Sequence, residues 1–85
     1  MHIPKLTVLV EAGAVRGVEA IPDAEGWAVW VVYASHSDQR REALERQRGG
    51  LRVFATLDAV ARCLAGAGLS GFWVNVAGPG GEEPP

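Results

Sequence analysis

The chain has few of the residues from which chemical sites are usually built. Among its 85 residues there is one cysteine, Cys63, so no disulfide can form within the chain. A lone cysteine suits a reducing cytosol. The two histidines, His2 and His36, have no ligand spacing with each other or with Cys63. The sequence therefore predicts no metal site and no cofactor.

Long apolar runs and charge of one sign are missing as well. No stretch approaches the roughly 20 apolar residues that cross a bilayer, and residues 1–5 lack the apolar region of a signal peptide. The net charge is −2, and residues 1–76 carry eight basic and eight acidic side chains. We expect a soluble, cytoplasmic protein with no general attraction to membranes or nucleic acid.

The sequence also lacks a recognisable catalytic set. Ser35, His36, Ser37 and Asp38 gather the residue types of a hydrolase triad, but triad members meet through the fold and not through adjacency. The glycines at 66 and 68 follow a predicted helix, whereas a phosphate-binding loop precedes one. The prediction is a non-enzymatic protein with no small-molecule ligand.

What the chain does have is a core. Apolar residues make up 48% of it, enough for one folded domain, which we place at residues 1–76. Residues 77–85 are rich in glycine and proline without an apolar anchor, and predict a disordered tail.

The pattern along residues 1–76 predicts an α+β fold. β-branched and alternating residues indicate strands at 6–11, 14–21, 27–34 and 72–76, with a bulge at Gly17. Thr56 is a natural N-cap, and Leu57, Val60, Ala61 and Leu64 form the apolar face of a helix. We expect an antiparallel β-sheet with one main α-helix packed on one face, in the order β-β-β-(β-β or short α)-α-β.

Residues 39–48 have two readings. Propensity favours a helix with Asp38 as N-cap and Gly49 as its end. Leu44 is the only large apolar residue in the segment, however, so such a helix would have almost no face to bury. The alternative, slightly favoured, is an exposed hairpin in which residues 43–48 run out, the two glycines turn, and residues 51–55 return.

The strand at 27–34 is apolar on both faces, which predicts a central strand whose second face needs a cover. One helix covers only one side of a sheet, so we expect a homodimer through the other side. The residues predicted for that interface are Trp27, Val29, Trp30, Val31 and Tyr33, because aromatic residues are enriched at interfaces.

An arginine cluster is the second candidate site. Five arginines lie within thirteen residues and outnumber the three carboxylates among them: Arg40, Arg41, Arg46, Arg48 and Arg52. The cluster has three readings: a solvated edge with local ion pairs, a surface that contacts DNA phosphates, or a surface for an acidic protein. A dimer would double it.

Part of the sequence resembles a known family. The shared pattern is Arg52-Val53-Phe54-x-x-Leu57-Asp58-Ala59-x-x-x-x-Leu64-x-x-x-Gly68 before an apolar strand, with Ile3-Pro4-Lys5-Leu6-Thr7-Val8-Leu9-Val10, Gly13 and Val15 at the start. It resembles small partition-associated proteins of the ParC type, or replication and partition accessory proteins, encoded on plasmids and mobile elements. The resemblance implies a plasmid-maintenance role, with DNA or a partition or replication protein as partner. It supplies no catalytic residue, and residues 35–48 do not match the pattern. The alternative function is a protein-interaction module without nucleic-acid contact.

Overall fold

A computed structural model of the protein describes residues 1–76, and the predicted tail lies outside these described residues. Within residues 1–76, five strands form one mostly antiparallel sheet, accompanied by two helices, so the predicted α+β class is confirmed. The elements are α1 (Ile3–Glu11), β1 (Val15–Asp23), β2 (Gly26–Ser35), β3 (Asp38–Ala43), β4 (Val53–Phe54), α2 (Leu57–Gly66) and β5 (Trp73–Val74).

The sheet is organised around β2. One edge of β2 pairs with β1, and the other edge pairs with β3 along residues 30–35 and with β4 at residues 27 and 28. β5 adds to the far edge of β1 in parallel, through Glu19 opposite Trp73 and Ala20 opposite Val74. The prediction that β2 is the central strand is therefore confirmed.

The prediction of a strand at residues 6–11 is wrong, because Ile3–Glu11 is a helix. Pro4 stands in its first turn, where a missing N–H costs nothing. Ile3, Leu6 and Val10 follow helical spacing and pack into the core, while Val8 is 62% exposed. Burial at a period of 3.6 outweighs the β-propensity of the valines. Gly13, at φ +68°, ends this helix, where the sequence indicated a hairpin turn.

The ambiguous segment is extended and not helical. Asp38–Ala43 pairs with β2 through a tight turn in which His36 adopts φ +54°. The favoured hairpin is present in short form: Glu45 and Leu51 form an antiparallel bridge, the Arg52 N–H donates to the Leu44 carbonyl at 3.0 Å, and the Arg46 N–H donates to the Gly50 carbonyl at 2.8 Å. Leu44, the only large apolar residue of the segment, is fully buried, which anchors the chain as it leaves β3.

The second helix follows the sequence prediction closely. The Thr56 hydroxyl accepts a hydrogen bond from the backbone N–H of Ala59 at 3.1 Å, so the N-cap is confirmed. Val60 and Leu64 are buried, as the spacing predicts. Ala61 is the exception, since it is exposed and the buried face continues through Ala67 instead.

The hydrophobic core lies on one side of the sheet, which we call the inner face. Both helices pack there, against alternate residues of the strands: Val18, Ala20, Val29, Val31, Tyr33 and Phe54. The opposite side, the outer face, carries the other alternate residues, and no helix within residues 1–76 covers it. The missed α1 therefore thickens the inner side and leaves the outer face without a helix.

Candidate functional site

The outer face has an apolar centre. Ile21 and Ala28 stand opposite each other in the β1–β2 ladder and are only 2% and 4% exposed, although neither belongs to the inner core. Val53 of β4 is the register partner of Ala28 on its other side. Further along β2, Trp30 and Val32 are half-buried, and Trp73 at the sheet edge is 46% exposed. The surface is thus an apolar patch that extends across four strands.

A charged pair lies over this patch. The Arg41 guanidinium stacks on the Trp30 ring at 4.3 Å from its centroid and pairs with the Glu19 carboxylate at 3.1 Å. The strand register explains why these three side chains meet. In β1, Glu19 is opposite Trp30, and in β3, Arg41 is opposite Val32, the next residue of β2 on the same face as Trp30. The outer face therefore has aromatic and apolar area together with one balanced pair of opposite charges.

The structure separates the residues that were predicted to form the dimer interface. Val29, Val31 and Tyr33 lie on the inner face and are at most 4% exposed, because the helices of the same chain cover them. Trp27 is half-buried and packs against this same core. Only Trp30 lies on the outer face. A partner on the open side of the sheet can contact Trp30, and the other four are committed to the core.

The five arginines are also divided. Arg40 and Arg41 are neighbours in β3 and project to opposite faces of the sheet. Arg46 and Arg48 lie in the exposed loop between β3 and β4, which Gly49 and Gly50 close at positive φ. No ion pair within residues 1–76 engages Arg46 or Arg48. These two exposed arginines make the loop a basic surface of the described chain.

Arg52 has a separate environment. Its guanidinium stacks on the Phe54 ring at 4.7 Å and lines a shallow cleft of about 410 Å³ at the start of α1. His2 lies in this cleft, and its Nε2 is 3.1 Å from the carbonyl oxygen of Arg46. The cleft therefore connects the arginine loop to the first helix, and Arg52 is positioned by an aromatic ring.

A polar cluster joins α1 to the sheet. The Lys5 ammonium donates to the Tyr33 hydroxyl at 3.1 Å and to the Glu42 carboxylate at 2.9 Å, and the Tyr33 hydroxyl donates to Glu42. The hydrogen bonds from Tyr33 and then Lys5 hold the pKa of Glu42 below its usual range. Bonds to Tyr33 and Glu42 raise the pKa of Lys5. The cluster fixes the orientation of α1 on the sheet.

A second polar contact holds the first residue. The ammonium group of Met1 donates to the Ala43 carbonyl at 2.7 Å and to the Glu45 carboxylate. The Glu45 N–H in turn donates to the Met1 carbonyl at 2.7 Å. The ammonium group lowers the pKa of Glu45. These bonds attach the start of α1 to the end of β3.

An open cleft of about 450 Å³ lies beside the first half of β1. One wall is residues 15–18, and the other is the chain that leads into β5, with Leu69, Gly71, Phe72 and Trp73. The β1–β2 register has a bulge between Val15 and Gly17, which leaves Arg16 as the extra residue. The bulge that the sequence predicted at Gly17 is thus confirmed, and it lies on the wall of this cleft.

Sequence reasoning missed three of these features: the stacked pair of Trp30 and Arg41, the Lys5 cluster and the cleft beside β1. The first could have been found by aligning β2 and β3 across the Ser35–Asp38 turn, which brings Arg41 opposite Val32. The other two depend on where α1 and residues 69–72 lie in space. No local pattern reports those positions.

Comparison of the chain with protein-family models, with curated proteins and with solved structures found no match. Within residues 1–76, no group of three or more histidine, cysteine, aspartate or glutamate side chains is placed to hold a metal ion. Neither helix of this described part has the length and apolar character needed to cross a membrane.

Proposed function

We propose that the protein is a non-enzymatic association module that pairs with a second copy of itself through the outer face of its sheet. The observation that carries the proposal is the apolar outer face, on which Trp73 is 46% exposed and Trp30, Val32 and Val53 are half-buried around the buried pair Ile21 and Ala28. Interfaces have this anatomy, an apolar centre with aromatic residues and a polar border.

A second copy fits the charge of the patch. Glu19 and Arg41 lie side by side on the outer face, so two faces related by a two-fold axis can place each charge against its opposite. A nucleic acid would favour a surface with excess positive charge, which this face lacks. The balance of charge thus favours self-association over DNA on this surface.

The size of the face fits as well. The described chain measures 33 × 29 × 23 Å. The broad side of a molecule of these dimensions has an area of the same order as the roughly 800 Å² that each partner buries in a standard stable interface. Two copies stacked on their outer faces would form one compact particle with both helical layers outside.

Sedimentation velocity at micromolar concentration tests the proposal. We expect a dimer for the natural chain and a monomer for Val32→Glu, which adds a second carboxylate beside Arg41 and gives two facing patches an excess of negative charge. Val8→Glu is the matched control, because Val8 is 62% exposed on α1, away from the outer face. It should remain dimeric. A natural chain that stays monomeric, or equal behaviour of the two variants, would refute the proposal.

The biological role implied by the family resemblance is part of the same proposal. A dimeric accessory protein encoded on a plasmid or mobile element would act in partition or replication by binding DNA or a partition protein. Retention of the parent plasmid without selection measures this role. Loss of retention after deletion of the gene, restored by the natural chain and not by Val32→Glu, would support it. Unchanged retention would argue against it.

DNA contact has a specific observation in its favour, the free loop with Arg46 and Arg48. In the dimer proposed above, two such loops would act together, and phosphate contacts add. The alternative is an interaction module without nucleic-acid contact, in which the loop is only a solvated edge. Salt-dependent DNA binding, treated in the Discussion, separates the two.

A further inference from the structure

We infer that the cleft beside β1 binds an extended acidic peptide segment of a partner protein, which adds to the sheet as a further strand. This surface differs from the outer face, since it is the edge of the sheet and not its flat side. The inference therefore goes beyond the proposed self-association and does not depend on it.

The backbone of β1 supplies the first reason. β5 pairs with β1 only at Glu19 and Ala20, and within the described residues no strand pairs with residues 15–17 along this edge. Because Asn75 N–H donates to the Ala20 carbonyl, the even-numbered residues of β1 direct their backbone groups toward this edge. Val18 belongs to that set: the parallel ladder with β5 uses its carbonyl but not its N–H. A strand edge of this kind is a template for another extended chain.

The shape of the cleft supplies the second reason. Residues 15–18 span about 13 Å in extended form, enough for a ligand segment of similar length. The cleft has a volume of about 450 Å³, and its apolar walls are formed by Val15, Val18, Leu69 and Phe72. Such walls accept alternate side chains of an added strand, while the backbone hydrogen bonds hold it in place.

Charge identifies the occupant. Arg16 is the one charged residue among the described residues that line the cleft. It is the extra residue of the bulge, and bulges characteristically re-aim a side chain. One of its N–H groups donates to the Gly13 carbonyl at 2.9 Å, which leaves further donors of the exposed guanidinium for a ligand. A carboxylate is the group that an arginine pairs with best.

Fluorescence anisotropy with a short fluorescein-labelled peptide of alternating valine and glutamate tests the inference on the full chain. We expect saturable binding that weakens at least tenfold when the peptide backbone is N-methylated, because methylation removes the strand donors and keeps the side chains. A valine–lysine peptide should bind the natural chain at least tenfold more weakly. Binding that ignores N-methylation, or no saturation at millimolar protein, would overturn the inference.

Charge exchange provides the matched variants. Arg16→Glu should lose the valine–glutamate peptide and gain the valine–lysine peptide. Arg62→Glu, at an exposed position of α2, should keep the natural preference. An Arg16→Glu variant with unchanged preference would overturn the inference. Val32→Glu should bind the peptide normally even as a monomer, so failure of the dimer and failure of the cleft are distinguishable.

Discussion

At the scale of single residues, the described chain is stabilised by a few side chains with no exposure at all. Leu6, Val29, Val31, Leu44 and Val60 have 0% exposed area, and Leu64 has 1%. A chain of this length buries a smaller fraction of its surface than a larger domain and has a small margin of stability. Individual core side chains therefore matter more here than in a larger protein.

Leu64→Ala should lower the free energy of unfolding by roughly 2–5 kcal/mol, because it removes a buried side chain and leaves a cavity. Asp58→Ala is the control on the same helix. Asp58 is exposed in the first turn of α2, and its favourable interaction with the helix dipole contributes about 0.3–1 kcal/mol. Urea unfolding of both variants provides the comparison. Equal losses would contradict the assignment of the buried face.

The cluster of Lys5, Tyr33 and Glu42 predicts a dependence of stability on pH. The pKa of Glu42 is lowered on folding, so its contribution is present above the ordinary pKa and is lost as pH falls through the folded value. The pKa of Lys5 is raised, so its contribution is present below the ordinary pKa and is lost as pH rises through the folded value. Both contributions are complete between about pH 5 and pH 10.

Glu42→Gln should therefore melt at a lower temperature than the natural chain at neutral pH, and the difference should shrink below pH 4.5. Melting temperatures across a pH series measure this. Glu25→Gln, in the exposed turn between β1 and β2, is the control and should follow the natural curve. A Glu42→Gln difference that stays constant from neutral to acid pH would contradict the assigned role.

At the scale of elements, the sequence predicts secondary structure best where local signals and tertiary packing favour the same conformation. α2 has a cap, a dipole partner and apolar spacing that all indicate a helix. In α1 they disagree, since Thr7, Val8 and Val10 favour a strand while Ile3 and Leu6 pack at helical spacing. Alternation in β2 correctly showed two apolar faces but could not show which one the helices cover. That choice is made by tertiary contacts.

Gly26 controls how β2 meets β4. A Cβ at this position would collide with the Phe54 carbonyl oxygen, so Gly26→Ala must displace the short strand. We expect a loss of about 1–3 kcal/mol or more, as for other overpacked sites. Gly66→Ala is the control, because nothing lies within 4 Å of its added Cβ. It should be neutral or stabilising by up to about 1 kcal/mol. Denaturant unfolding of the two variants checks this, and equal effects would contradict the close approach.

At the scale of the whole molecule, the described surface divides by chemistry. The outer face is apolar with balanced charge, the cleft beside β1 is apolar with one arginine, and the loop after β3 is basic. The sequence indicated an arginine cluster and a second apolar face. Proximity along the chain, however, suggested that the five arginines form one group, and the structure separates them. Alternation along β3 separates Arg40 from Arg41, and Phe54 positions Arg52.

Any binding to DNA should be weak, sensitive to salt and centred on Arg46 and Arg48. Residues 1–76 are neutral overall, so only a local cluster can attract phosphates. Each phosphate contact contributes about −0.9 to the slope of log K against log salt for duplex DNA. Replacing both residues by alanine should flatten this slope and leave the melting temperature nearly unchanged, since exposed charges add little stability. Fluorescence anisotropy of a labelled duplex at several salt concentrations measures the slope. Absence of binding at low salt would contradict DNA contact and favour the interaction module without nucleic-acid contact.

The shortness of β5 has a consequence for how the molecule fluctuates. Trp73 and Val74 pair with β1, the Asn75 N–H adds one bond to the Ala20 carbonyl, and the side chains of the two strand residues are 46% and 39% exposed. Such a segment opens locally at a small fraction of the free energy of global unfolding, so its amide hydrogens exchange with solvent well before those between β1 and β2. Each opening bares the far edge of β1, a nine-residue strand, as a template for another chain. We therefore expect the resistance of this protein to aggregation to depend on the small fraction of time that this two-residue strand is open.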